Sequence, residues 1–315
     1  VQIEYSLTST YEQTLTGGWN LIGLPLEVEN ANYVDVYSDV NPLQAPYGFE
    51  NQGYQSTPSM EVGQGYWLEV GSAGTQTIEG FPVTSKTIPL SSGWNMISGI
   101  SCTLPIADVE DPNGVLANGV AYSFNGSYNS DSVLEQGVGY WIEATGSGSI
   151  TLDCANASSG GKKLAAKSAE TNAPTLTVSD AAGGSQRLYL AEPSGSKRQS
   201  YRLPPPPPGG AFDVRFAAGT QLMQGRSGQI DLRGVAFPLQ LRLEAEGSST
   251  YVVEALAGEQ VVSTHTIAGG ESASVEHEDV SALRVRTKTA AELPDEFALS
   301  GNYPNPFNPT TEIAF

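Results

Sequence analysis

The sequence predicts an all-β chain: two tandem small β-sandwich or barrel-like modules followed by a further β-sandwich domain. Three observations carry that expectation. First, Gly18-Trp19-Asn20-Leu21-Ile22 recurs as Gly93-Trp94-Asn95-Met96-Ile97. Likewise Gly63-Gln64-Gly65-Tyr66-Trp67-Leu68-Glu69 recurs as Gly137-Val138-Gly139-Tyr140-Trp141-Ile142-Glu143, so the paired tryptophans lie 75 and 74 positions apart. Repetition at a fixed period marks a duplicated structural unit. Second, 35 glycines and 20 prolines among 315 residues argue against long helices. Third, short runs such as Phe212–Phe216, Leu239–Leu243 and Leu283–Arg286 alternate apolar and polar residues, the period of a half-buried strand.

The first module is placed at residues 1–82, with strands expected at 2–8, 19–25, 34–37, 66–70 and 75–78. The second occupies 83–155, with strands at 86–90, 94–100, 120–124, 139–144 and 149–152. Asn51-Gln52-Gly53 and Asn125-Gly126 supply residues that tolerate positive φ where hairpins must turn. A short 3₁₀ turn is expected near 106–109. Residues 156–172 are rich in Ser, Ala, Gly and Lys and read as a linker. The third domain covers 173–290, with strands at 176–178, 187–190, 212–216, 239–243, 251–254 and 283–286. Within it, Pro204–Pro208 must be extended and stiff. Such a run can dock in an aromatic-lined groove, but inside a folded domain a spacer or rigid edge segment is expected. Residues 291–315 read as an extended tail.

The net charge is −19, and it is unevenly placed: residues 1–157 hold 17 acidic side chains against the single Lys86. An acidic face of this kind repels nucleic acid and anionic lipid. No stretch is long and apolar enough for a transmembrane helix. Absence of a leader before Val1 suggests that the natural protein extends upstream. The two cysteines, Cys102 and Cys154, both lie in the second module, the latter after its last strand, and are expected to form a disulfide, a link that persists outside the cytoplasm. Closing a loop of that size stabilises a fold by about 4 kcal/mol in the chain-entropy picture.

Catalytic chemistry is not legible. His265 lies in a strand-like run and His277 in a charged loop, with no metalloprotease spacing, nucleophile elbow or phosphate-binding loop. Glu69 and Glu143 stand beside Trp67 and Trp141 at equivalent repeat positions. An acid and a base need different environments, so this equivalence speaks for a scaffold role. Calcium is the candidate ion, with Asp108, Glu110, Asp111 and Asn113 offering oxygen ligands within one turn. Asn125 and Asn156 head Asn-Gly-Ser and Asn-Ala-Ser, acceptor sequences that matter only in a eukaryotic secretory route. Trp19, Trp67, Trp94 and Trp141 are expected as repeat core.

The pair built on Trp19, Asn20, Gly65 and Trp67, and on Trp94, Asn95, Gly139 and Trp141, resembles a β repeat of secreted and surface proteins of bacteria. The chain end carries Asn302, Tyr303, Pro304, Asn305, Pro306, Phe307, Asn308 and Pro309 after Leu293-Pro294-Asp295-Glu296-Phe297. It is similar to the opening of the C-terminal sorting domain of the type IX secretion system, which serves the Bacteroidetes and their relatives. That resemblance implies contact with the secretion machinery, export through the outer membrane, and release or attachment at the cell surface. The sorting domain is a small β sandwich, and Phe315 falls after what would be its first strand. Tyr201 through Phe216 also resembles a segment that often precedes such a signal.

The function expected from these features is non-catalytic: a structural or adhesive C-terminal region of a secreted cell-surface protein, possessing β edges through which copies of itself or other surface proteins can assemble. The alternatives are the accessory and sorting region of a secreted hydrolase whose catalytic domain lies upstream, or a module that binds glycans through the repeat tryptophans.

Overall fold

The structure is a computed structural model that describes residues 7–157, 173–191, 201–246, 249–288, 302–303 and 312–313. It is all-β, with several distinct antiparallel sheets.

The first repeat runs β1 (Ser9–Leu15), β2 (Gly18–Gly23), β3 (Leu26–Glu27), helix α1 (Tyr33–Val36), β4 (Tyr47–Glu50), β5 (Gly53–Ser56), β6 (Gly65–Val70) and β7 (Gly74–Pro82). The second runs β8 (Ser85–Leu90), β9 (Gly93–Ser98), β10 (Leu104–Pro105), a 3₁₀ turn (Ile106–Asp108), β11 (Leu116–Phe124), β12 (Tyr128–Asp131), β13 (Val133–Leu134), β14 (Gly139–Ala144) and β15 (Gly148–Asp153). Each repeat builds a four-stranded sheet, ordered β2-β6-β4-β5 in the first and β9-β14-β11-β12 in the second. Each also pairs its first and last strands, β1 with β7 and β8 with β15.

The repeated motif has a physical reason at each position. Gly18 and Gly93 turn the chain at φ of +87° and +95°, where a side chain would be strained. The following asparagines lock that turn. Asn20 Oδ1 accepts from Thr16 N at 2.9 Å while its Nδ2 donates to Thr16 O and Gly18 O. Asn95 makes the same three bonds to Ser91 and Gly93. Tyr66 and Tyr140 accept from the backbone N–H of Glu61 and Glu135, each at 2.9 Å. Gly65 and Gly139 are needed for close approach between repeats. A Cβ on Gly65 would lie 2.5 Å from Ile97 O, and one on Gly139 would lie 2.6 Å from Ile22 O.

These contacts are reciprocal. Gly23 N donates to Gly137 O and Ser98 N to Gly63 O, both at 3.0 Å. The bridges Ile22↔Val138 and Gln64↔Ile97 complete the exchange. The repeats are therefore related by an approximate two-fold and share an aliphatic core. Leu15, Ile22, Tyr66, Leu68 and Val70 pack in one cluster with Ile97, Tyr140, Ile142, Ile150 and Leu152. Cys102 and Cys154 are bonded and close the second repeat.

Two strand expectations differ from the structure. Residues 34–36 lie in a one-turn helix and Tyr37 is its C-cap, so 34–37 form no strand; Asn32 caps the helix start by accepting from Val34 N at 3.2 Å. The first described strand is β1, beyond the expected 2–8; residues 2–6 lie outside the described set. Its inward positions include Gln13, which interrupts the apolar alternation. Gln13 is buried because Nε2 donates to Gly137 O at 2.6 Å and Oε1 accepts from Tyr37 Oη at 2.8 Å.

Beyond residue 173 follow β16 (Thr175–Ser179), β17 (Ser185–Tyr189), β18 (Asp213–Phe216), β19 (Ser227–Arg233), β20 (Leu239–Glu244), β21 (Thr250–Ala257), β22 (Gln260–Ala268), β23 (Ser272–Val275) and β24 (Ala282–Thr287). They form sheets β17-β16-β20-β23 and β18-β19-β24-β21-β22, whose buried residues make one separate core from Leu176 to Val285. In the tail, β25 (Asn302–Tyr303) pairs with β26 (Glu312–Ile313). Pro304, Asn305, Pro306, Phe307, Asn308 and Pro309 lie outside the described residues.

The close approach generates a prediction. Gly139→Ala forces a methyl group onto the Ile22 backbone and is expected to lower unfolding free energy by about 1–3 kcal/mol. Gly146→Ala, which meets nothing within 4 Å, is expected to stay within about 0.5 kcal/mol of the parent. Urea denaturation compares the two.

Candidate functional site

The period-two alternation that sends Tyr66 and Leu68 into the aliphatic core sends Trp67 to the opposite face. The same holds for Trp141 between Tyr140 and Ile142. There a second cluster forms, made from equivalent residues of both repeats: Trp19 and Trp94, Tyr47 and Tyr122, Phe49 and Phe124, Tyr54 and Tyr128, Trp67 and Trp141. All four tryptophans are buried, Trp67 and Trp141 completely. The packing crosses the two-fold. Phe49 meets Trp141 edge-on at 4.7 Å between ring centres, and Phe124 meets Trp67 at 4.8 Å. Tyr54 lies 6.3 Å from Trp141, and Tyr128 lies 6.3 Å from Trp67. Hairpins place these rings: Phe49 pairs with Tyr54 across β4 and β5, and Phe124 with Tyr128 across β11 and β12. Asn51 and Gln52 take positive φ in the first of these turns.

This cluster is a groove, and the proline run lies in it. Tyr128 Oη donates to Pro205 O and Tyr54 Oη to Pro206 O, both at 2.7 Å. Trp19 Nε1 donates to Gly209 O at 3.1 Å. Leu203 and Ala211 are buried within the aromatic cluster at either end. Arg202 pairs with Glu143 on the rim. The spacer expectation for Pro204–Pro208 is thereby corrected: the run is a strap that joins the third unit to the paired repeats.

Arg215 fixes the strap from behind. Its guanidinium forks onto Asp213, with Nε at 2.8 Å and Nη2 at 2.6 Å, and Nη1 donates to Pro204 O at 2.6 Å. Its Cζ lies 5.8 Å from the Tyr128 ring centre, a cation–π contact across the junction. Both charges are almost wholly buried, so each depends on the other. Burial pushes the Tyr54 and Tyr128 phenols up, which keeps them as hydrogen-bond donors. The indole N–H groups of Trp67 and Trp141 have no hydrogen-bond partner, although each lies close enough to a hydroxyl, Tyr54 and Tyr128 respectively, to offset part of that rise.

The carboxylates singled out in the sequence are engaged elsewhere. Glu69 Oε2 accepts from Gln44 Nε2 at 2.7 Å, and Glu143 holds Arg202. Asp111 accepts from Val115 N and Leu116 N, each at 2.9 Å, and these bonds hold its carboxyl below the usual range against its burial. Glu110 accepts from Asn156, and Asn113 from Ser149 N; Asp108 heads the 3₁₀ turn's last position. Among the described residues, no three acidic, histidine or cysteine side chains converge as a metal site. His265 sits on β22 with Nε2 at 3.1 Å from Ser263 Oγ, and His277 is exposed. A separate open cleft of about 530 Å³ is lined by Tyr11, Asn20, Ser123, Asp131 and Glu135, and none of the four tryptophans reaches it. The second aromatic set was readable in principle, since Tyr54 and Tyr128 both stand 13 positions before a repeat tryptophan.

No family model matches this chain, and no curated protein or solved structure matches it.

Two predictions follow from the buried groups. Asp213→Ala strands the Arg215 charge and is expected to cost about 3–5 kcal/mol, read as a lower denaturation midpoint. Burial also pushes the Tyr66 and Tyr122 phenols up to about 12, with Glu143 adding to the rise at Tyr122. An unfolded phenol ionises near about 10. The folded chain therefore holds protons that the unfolded chain releases. Stability is expected to be level below about pH 10 and to fall above it, by about 1.4 kcal/mol per pH unit for each such tyrosine. Urea midpoints measured from about pH 8 to about pH 11 check the sign.

Proposed function

We propose that this region is a non-catalytic structural or adhesive part of a secreted, cell-surface bacterial protein. The observation that carries the reading is the position of the repeat tryptophans. Rings that would have to be open to stack on a sugar or flank a reacting bond are sealed between the repeats and covered by the strap. The ionised groups next to them, Asp213 and Arg215, bind each other and a backbone carbonyl.

In this reading the paired repeats and the following unit, taken as a β-sandwich, form a coupled scaffold, and the strap transmits load between them. Secretion and handling by the type IX machinery rest on the motif from Tyr303 to Pro309. Assembly with other copies rests on edge strands. The nine-residue β22 is the outer strand of its sheet and turns Val261, Thr264 and Thr266 to solvent. Such an edge offers unpaired backbone groups to a partner strand.

Sedimentation and electron microscopy over a wide concentration range test assembly, and a glycan array with tryptophan emission tests recognition. The expected outcome is concentration-dependent association that Thr264→Lys with Thr266→Lys abolishes, and emission unmoved by glycans or calcium. A monomer at every concentration, or a saturable emission change with a sugar, contradicts the reading.

A further inference from the structure

We propose that the groove between the two repeats is a receptor for an extended proline-rich peptide, and that Leu203–Gly209 is its resident ligand. A binding activity of this kind goes beyond a scaffold role, which stands whether or not the groove accepts peptide in trans.

The chemistry of the two surfaces matches. A proline run offers carbonyl acceptors and no N–H donors, and its extended helix has no internal hydrogen bonds. The groove answers with donors alone: Tyr128 on Pro205 O, Tyr54 on Pro206 O and Trp19 on Gly209 O. All three bonds go to backbone, so they read the exposed carbonyls of an extended chain rather than any one side chain. Aromatic rings supply the walls. Pro204 and Pro207 are buried while Pro205, Pro206 and Pro208 are half-buried. That spacing of three is the period of a polyproline helix.

The duplication explains how adjacent carbonyls are reached. With three residues per turn, consecutive carbonyls point about 120° apart. Two donors on one strand face cannot meet both. Tyr54 and Tyr128 are equivalent residues from different repeats, and the approximate two-fold brings them to Pro206 and Pro205 from either side. The site therefore exists only in the pair.

The contact also has the form of an interface. The repeats own one core and the third unit another, and the two units share the aromatic cluster through Leu203 and Ala211.

The test uses the full chain with a specific protease site inserted between Gly160 and Gly161. After cutting, the pieces are expected to co-elute on size exclusion. A synthetic peptide of residues 201–211 is expected to release the C-terminal piece and to shift tryptophan emission; the same peptide with its five prolines changed to alanine is expected to do neither. Tyr54→Phe with Tyr128→Phe, checked for folding by circular dichroism, removes two hydrogen bonds and is expected to weaken the retention at least about tenfold. Pieces that part on cutting while each stays folded would overturn the proposal. So would an equally effective alanine peptide, no release at millimolar proline peptide, or a double phenylalanine variant as tight as the parent.

Discussion

Each repeat buries its second tryptophan under a phenylalanine and a tyrosine of the other repeat, and the remaining architecture depends on that exchange. Trp67 is closed by Phe124 and Tyr128, and Trp141 by Phe49 and Tyr54. Edge-to-face pairs of this kind contribute about 0.5–1.5 kcal/mol each beyond the area they bury. Four of them compare with a large share of the net stability of a domain, about 5–15 kcal/mol. The exchange demands that the backbones approach closely, which is why Gly65 and Gly139 carry no side chain. It also demands that β2, β6, β9 and β14 be buried on both faces, aliphatic on one and aromatic on the other.

A ring cluster assembled this way has an apolar aromatic side that needs a cover. The strap covers it. Covering it with prolines adds no N–H donors there, and it supplies the carbonyl acceptors that the Tyr54, Tyr128 and Trp19 donors use. Arg215 completes the arrangement by meeting Pro204 O, and its own charge is balanced by Asp213 within the same strand. The acidity of the repeats meets a cation at the rim, where Arg202 reaches Glu143. Local sequence, packing and inter-unit coupling are here one connected set of contacts.

The sequence made the local part of this legible. Turn glycines, the asparagine after each first tryptophan and period-two runs place β2, β6, β9 and β14, because those signals act over a few residues. The disulfide partners, both half-buried, were also readable from their position within one repeat. What escaped was set by contacts distant in sequence. The burial of Gln13 depends on Gly137, 124 positions away. Residues 34–37 looked extended until Asn32 capped them. Asp213 and Arg215 alternate with valine as surface residues do, and their burial follows from a carbonyl in the strap. The strap itself lies 152 positions from the tyrosine that binds Pro206. Its composition announced an extended chain, and nothing local announced the groove.

The most direct measurement is to express residues 7–82 and 83–157 separately and compare each with 7–157 by NMR and sedimentation. If the repeats share their cores, the joined pair gives dispersed amide signals and neither half folds as a monomer, while mixing the halves restores the pair's spectrum. A dispersed, monomeric spectrum from either half alone would contradict the account.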